Sequence, residues 1–314
     1  MLLSYTYSHK NVLEQRRKEV YRDILGLLSC PICKGKFSLN EREVENEEIV
    51  EGSLICANAH RYAIRKGVID FGSQEQEGLN TWKEFLKENN YEELDLEIEQ
   101  QKTEKEKEQQ QKHIDSIVKA VAKLEKGYVV DIASGRGMLL TQLVQNVKAD
   151  VGLIATDLSF DILMYDRMKI KKFNPTARVN YIACDATAMP LEDGSVDMTV
   201  SFYGIANMVG TVEAGIREAS RVTKEKGKFL NAYLAIKEES EGFSMMKKFC
   251  EENGVTGAER ACLDSVMQDW HSKYFDEIVA DVVVEDIYHK EENKLDLLPY
   301  NGEWFAYVTC EGRK

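Results

Sequence analysis

The feature that most constrains the fold is an alternation of strand-like and helix-like stretches through residues 112–235. Short apolar runs near 128–132, 152–156, 179–183, 196–202 and 227–235 are separated by segments of helical composition. That order predicts a parallel sheet covered by helices on both faces. The chain then changes character. "ADVVVEDIYHK" and "EWFAYVTCEGRK" are two strand-like runs joined by "EENKLDLLPYNG", too short for a crossover helix. They are expected to pair as an antiparallel hairpin on the sheet edge. The expected fold is α/β, a doubly wound, mostly parallel seven-stranded sheet with an antiparallel terminal hairpin.

The first of these strands ends in "VVDIASGRG", residues 129–137. A glycine loop between a first strand and a helix is a usual site for a nucleotide-like cofactor. The dinucleotide fingerprint is incomplete, because Met138, Leu139 and Leu140 follow Gly137 where a third glycine belongs. Asp131, at the mouth of the loop, would oppose a pyrophosphate and would suit a cofactor carrying an ammonium and a sulfonium. Asp157 ends the second strand in "LIATDLS" and can accept from both hydroxyls of a ribose. Asp185, in "YIACDATAMPLEDGSVDM", can accept from an adenine amino group. A strand-end aspartate also commonly caps the next helix. Three of them around one switch point argue for more than caps.

On these residues, 112–235 resembles the class I S-adenosylmethionine-dependent methyltransferases. "VVDIASGRG" corresponds to the family's first motif, "TDLS" to its ribose motif and "CDATAMPLEDGSVD" to its adenine motifs. "REASRVTKEKGKFL" is similar to the helix, turn and fifth strand that follow. The resemblance implies S-adenosylmethionine as cofactor, held by Asp131, Ala133, Gly135, Gly137, Asp157, Leu158, Asp185 and Ala186. Ala133 stands where the family has glycine. Such a cofactor carries an activated methyl, so the protein mainly supplies proximity and orientation. A general base is needed only if the acceptor loses a proton.

A second constellation lies ahead of this domain. Cys30 and Cys33 form C-x2-C, Cys56 and His60 form C-x3-H, and 22 residues separate the pairs. Three sulfurs and one imidazole complete a closed, structural zinc site. So small a segment has little core of its own, and metal binding would supply its folding energy. "CPIC" with "CANAHRYAIRKGVIDF" resembles the zinc ribbon that begins the large-subunit ribosomal RNA guanine-N1 methyltransferases. It also resembles a small zinc-ribbon activator that partners several methyltransferases. The loop between the ligand pairs contains "EREVENEEIVE", six Glu and one Arg, which would repel phosphates. Lys34, Lys36, Arg61, Arg65 and Lys66 are the residues available for a basic patch.

The chain is therefore read as a zinc ribbon with an N-terminal helix (1–72), a polar helical linker (73–111) and a methyltransferase domain (112–314). Net charge is −13 over 314 residues, which disfavours a broad nucleic-acid surface. The ribbon alone holds 11 basic and 10 acidic residues. No membrane span and no signal peptide are expected. Seven cysteines, with Cys184, Cys250, Cys262 and Cys310 in apolar contexts, suit buried thiols in a reducing cytoplasm.

On the acceptor side, "SFYGIANMVG" follows the fourth strand, so Tyr203 and Asn207 are candidates for orienting the acceptor. The insertion at 236–280 reads as two helices whose Met245, Met246, Phe249, Trp270 and Tyr274 are candidates to line its pocket. His271 is a candidate base. The leading functional reading is methyl transfer to a small molecule. The alternatives are a ribosomal RNA guanine methyltransferase and a non-catalytic, cofactor-binding protein that docks a partner. Oligomeric state stays open.

Overall fold

A computed structural model describes residues 22–45, 48–72, 91–289 and 298–314. The N-terminal helix expected before residue 22 lies outside the described residues. Among the described residues, a short 3-10 turn (Leu25–Leu27) leads into an antiparallel sheet: β1 (Phe37–Glu45), β2 (Glu48–Cys56), β3 (Arg61–Arg65) and β4 (Val68–Asp70). Two helices follow, α1 (Tyr91–Gln101) and α2 (Glu104–Val121). Then come β5 (Gly127–Ile132), α3 (Met138–Asn146), β6 (Val151–Asp157), α4 (Phe160–Phe173), β7 (Val179–Ala183) and β8 (Val196–Phe202). The chain finishes with α5 (Val212–Val222), β9 (Thr223–Ile236), α6 (Glu241–Glu252), α7 (Asp264–Ser272), β10 (Glu277–Ile287) and β11 (Trp304–Arg313).

The strands form one sheet in the order β1-β2-β3-β4-β7-β6-β5-β8-β9-β11-β10. The expected seven are β5 to β11, all running the same way except β11, which lies antiparallel between β9 and β10. The seven-stranded count is nevertheless corrected to eleven. β4 pairs in parallel with β7, setting Val68 opposite Tyr181, Ile69 opposite Ile182 and Asp70 opposite Ala183. The ribbon thus continues the main sheet. The cause is physical: β7 would otherwise leave an open edge of unpaired backbone groups, and β4 covers it.

Packing reinforces this continuity. Adjacent strand residues face opposite layers, so Val129 joins one core and Val130 the other. The layer holding Val130 and Ile132 runs without a break into Ile24, Leu28, Leu54 and Ile64 of the ribbon. Between the two, Ser29 N–H donates to Pro190 O (3.1 Å) and Glu192 N–H to Leu27 O (2.8 Å). Glu48 of β2 is 4% exposed and accepts from both Arg167 nitrogens of α4 (3.2 and 2.9 Å), with Lys171 at 3.2 Å.

The described part of the polar linker, residues 91–111, is also tied down. Thr103 and Glu106 form a reciprocal capping box at the start of α2. Gln109 donates to Asp286 of β10 (2.6 Å), and Tyr288 donates to Glu106 (3.2 Å). α2 buries His113, Ile114, Ile117 and Val121, and it runs through the boundary read at 111/112.

Candidate functional site

The loop between β5 and α3 turns through left-handed backbone at Ala133 (φ 53°), Gly135 (φ 55°) and Gly137 (φ 66°). A Cβ at Gly135 would meet nothing within 4 Å, so the backbone there faces open space. Ala133 bears its side chain in a conformation that costs an L-residue roughly 1–2 kcal/mol. Gly204, from the loop after β8, packs against this turn. A Cβ at 204 would lie 2.6 Å from Ile132 O and 2.8 Å from the Ala133 methyl. The nearest atoms are the backbone carbonyls of Ala133 and Ile132, so the close approach of the two loops requires glycine at 204.

Asp131 is 2% exposed, and neither carboxylate oxygen has a partner among the described residues. Burial, then the neighbouring Asp157, pushes its carboxyl up to about 8. Asp157 is engaged differently. Its Oδ2 accepts from Gly135 N–H and its Oδ1 from Ser159 N–H, both at 2.9 Å. It thus braces the glycine loop and the start of α4 together, while burial pushes its carboxyl up. Leu158, half-buried, directs its backbone N–H at the same carboxylate. Asp185 is exposed and folds into a turn, accepting from Thr187 N–H (2.7 Å) and Thr187 Oγ1 (2.8 Å). Ala186 beside it is buried.

A third buried carboxylate escaped the sequence reading. Asp166 of α4 is 0% exposed and lies beneath the loop, where a Cβ on Gly137 would come within 2.6 Å of it. Burial pushes its carboxyl well above the usual range. The residues present fit a cofactor with cationic groups: an open glycine backbone, and a buried carboxylate without a partner at its mouth.

Helix α1 lies against the same loop. Its Asp95 accepts from Arg136 Nη1, from Tyr165 Oη (3.0 Å) and from Lys169 Nζ (3.2 Å). Lys169 also donates to Arg136 O. Burial opposes the Asp95 charge, but Lys169 and Arg136 outweigh it and hold the carboxyl below its usual range.

On the acceptor side, Tyr203 begins the loop after β8 with a left-handed backbone (φ 61°). Its hydroxyl lies 2.9 Å from His113 Nδ1, and His113 Nε2 lies 3.1 Å from Val308 O. The carbonyl can only accept, so Nε2 carries the proton and Tyr203 donates to Nδ1. His113 is 0% exposed, and burial pushes its imidazole down to about 4. It stacks on Tyr307 at 5.3 Å and meets Phe202 and Tyr203 edge-on. The helical pattern marked α2 as packed, but nothing in it signalled a tyrosine 90 residues away. Asn207 is exposed on the same loop and donates its backbone N–H to Tyr203 O (2.9 Å).

His271 sits elsewhere. It is 0% exposed and stacked on Phe229 at 5.5 Å. Its Nδ1 donates to Met267 O (2.6 Å), and Nε2 faces Asn231 Nδ2 at 3.4 Å. Burial pushes it down to about 4. Both ring nitrogens are committed inside the core, a setting for packing rather than for a base. The insertion forms α6 and α7 with a 3-10 turn between them. An open cleft of about 950 Å³ there includes Trp270 but not Met245, Met246, Phe249 or Tyr274. None of Asp131, Gly135 or Tyr203 borders it, so it is separate from the glycine loop.

The four ribbon ligands do converge. Cys30, Cys33, Cys56 and His60 present atoms all within 4.8 Å of one another. Cys30 and Cys56 sulfurs lie 3.5 and 3.4 Å from His60 Nδ1, and Cys33 lies 3.6 Å from Cys56. A tetrahedron with 2.3 Å metal–sulfur bonds has edges of about 3.8 Å, so the cluster fits zinc held by three sulfurs and Nδ1. Around it three of the five candidate basic residues are engaged. Lys36 pairs with Glu192 (2.9 Å), Arg61 bonds Ser53 (3.3 Å) and Arg65 pairs with Asp70 while covering the Phe160 ring at 4.5 Å. Lys34 and Lys66 occupy left-handed turns (φ 59° and 48°).

Residues 106–245 match the ubiE/COQ5 methyltransferase family, and residues 22–67 match the Trm112p-like proteins. Among similar proteins is the ubiquinone/menaquinone biosynthesis C-methyltransferase of Citrifermentans bemidjiense, 27% identical over 113 residues, 36% of this chain and 48% of that one. The enzyme of the same name from Rickettsia typhi is 31% identical over 105 residues, 32% and 42% of the two chains. The chain thus spans about half the length of the relatives it matches. Among solved structures, the Bacillus YcgJ protein aligns with a TM-score of 0.46 at 15% identity, over 64% of this chain and 98% of that one. An arsenic(III) S-adenosylmethionine methyltransferase from Chlamydomonas reinhardtii aligns at 0.46 and 15% identity, over 60% and 64%. Behind the segment similar to the Trm112p-like proteins, this chain thus carries a segment similar to the ubiE/COQ5 methyltransferases.

Proposed function

We propose that this protein transfers a methyl group from S-adenosylmethionine to a small, largely apolar acceptor. The observation that carries the reading is the Asp131 carboxylate, buried without a partner at the mouth of an open glycine loop, inside the segment that matches a methyltransferase family. When bound, the cofactor supplies an activated methyl on a positively charged sulfur. Asp131 would compensate its cationic groups. Gly135 would let it approach the backbone, and Asp157 keeps that backbone in place.

The rings of Phe202, Tyr203 and Tyr307, packed edge to face on one another around His113, supply an aromatic wall for the acceptor. Because Tyr203 gives its proton to His113, its oxygen acts as a hydrogen-bond acceptor toward a bound molecule. It can therefore orient a hydroxyl or N–H of the acceptor. Relatives named for ubiquinone and menaquinone biosynthesis make ring precursors of quinones the first acceptors to try. The ribbon is read as a structural zinc unit. Three of its five candidate basic residues, Lys36, Arg61 and Arg65, are engaged in internal contacts, which does not favour RNA recognition.

The test is transfer of radiolabelled methyl, offered in parallel to a quinone-precursor fraction and to unmodified ribosomal RNA. Label entering the small-molecule fraction supports the proposal. Label entering RNA alone overturns it, and no label in either despite tight cofactor binding favours a non-catalytic role.

A further inference from the structure

Asp95 lies outside both family motifs, yet it gathers three donors at the edge of the cofactor loop. Two are cationic: Arg136, the residue between the loop glycines, and Lys169, whose ammonium also reaches within 3.6 Å of Asp166. The third is the neutral Tyr165 hydroxyl. The side chains of Asp95, Arg136 and Lys169 are only 20%, 12% and 26% exposed, so water screens them incompletely. A positive cluster here would oppose a cationic ligand. Methyl transfer changes the ligand's charge: the donor carries a sulfonium, and the demethylated product a neutral thioether.

We propose that Asp95 is a specificity-determining residue for the donor: by cancelling cationic charge beside the loop, it favours S-adenosylmethionine over S-adenosylhomocysteine. The inference rests on the methyltransferase reading above. It gives helix α1 a role in relieving product inhibition, through charge rather than through contact with the reacting atoms.

The experiment is calorimetric titration of the full chain with each of the two compounds, reading the ratio of their dissociation constants. In Asp95→Asn the ratio should move against S-adenosylmethionine by about three- to ten-fold, the size of one partly screened charge. Lys169→Gln should move it the opposite way. Asp95→Asn/Lys169→Gln should return it to within about two-fold of wild type, since one charge of each sign is gone. Tyr165→Phe removes a hydrogen bond from Asp95 without a charge and should weaken both ligands together or neither. An unchanged ratio in the charge variants, or equal shifts in Tyr165→Phe and Asp95→Asn, overturns the inference. Should Asp95→Asn fail to fold, the direction of the Lys169→Gln shift decides it. A wild-type protein that binds neither compound overturns the underlying reading, and this inference with it.

Discussion

Replacing Asp131 by asparagine should stabilise the ligand-free protein while abolishing cofactor binding. In the fold, the Asp131 carboxyl titrates at about 8, against 3.8 for an ordinary aspartate. Between those values the folded state holds a proton that the unfolded state has released. Stability therefore falls as pH rises, by ~1.4 kcal/mol per pH step, or about 4 kcal/mol by pH 7. The asparagine side chain has no such proton to lose, but its amide is still buried without partners, which costs roughly 1–3 kcal/mol. A net gain of about 1–3 kcal/mol remains. With ~2.1 cal/mol/K of unfolding entropy per residue over 314 residues, Tm should rise by about 2–5 °C. The assay is thermal unfolding of wild type and Asp131→Asn from pH 5 to 8, with and without S-adenosylmethionine. The gap between the ligand-free proteins should widen as pH rises, and ligand should raise Tm only for wild type. A gap that is flat in pH, or a variant still stabilised by ligand, would refute the reasoning.

Other consequences are as direct. Gly204→Ala sets a methyl 2.6 Å from Ile132 O and 2.8 Å from the Ala133 methyl, so urea unfolding should show a loss of about 1–3 kcal/mol and titration a weaker cofactor. Gly204→Ala combined with Ala133→Gly should recover little of either, because the carbonyls of Ile132 and Ala133 stay in the way. Metal analysis should find one zinc per chain. Cys56→Ser should remove it and lower Tm by more than about 4 °C, because β4 and the core shared with the ribbon go with it. His113 and His271 are both held near 4 by burial, so each contributes stability that is fully present above pH 6.5 and is lost as pH falls toward 4. His271→Phe should shallow that acid limb in a stability–pH curve. Tyr203→Phe should keep cofactor affinity within about two-fold but lower the methyl-transfer rate at least ten-fold, read as kcat with little change in donor KM.

Much of the architecture is legible in the sequence because it is local. The buried runs of β5 to β8 read as near-continuous apolar stretches bounded by turns, and the two terminal strands are too close in sequence for a crossover. The four residues of the cysteine–histidine cluster announce themselves by spacing. What stays hidden is tertiary. β4 is only Val68–Asp70, and nothing in three residues declares a partner on β7. Asp166, Asp95 and His113 read as ordinary helix residues; their environments come from elements that fold back over them. Glu48 reads as one acid in a repulsive loop, whereas the fold gives it Arg167 and Lys171. His271 shows the converse, a chemically suggestive residue that the fold has sealed between aromatic rings.

The join between β4 and β7 also orders events during synthesis. Val68 leaves the ribosome 113 residues before its partner Tyr181, the difference between the two positions. The ribbon strands β1 to β3 are complete well before the edge they will extend exists. With zinc in the Cys30/Cys33/Cys56/His60 cluster, a segment with so little core of its own would capture its metal first and wait as a nascent, half-covered sheet. Zinc supply during translation, rather than after it, would then set how much of this chain reaches its final form.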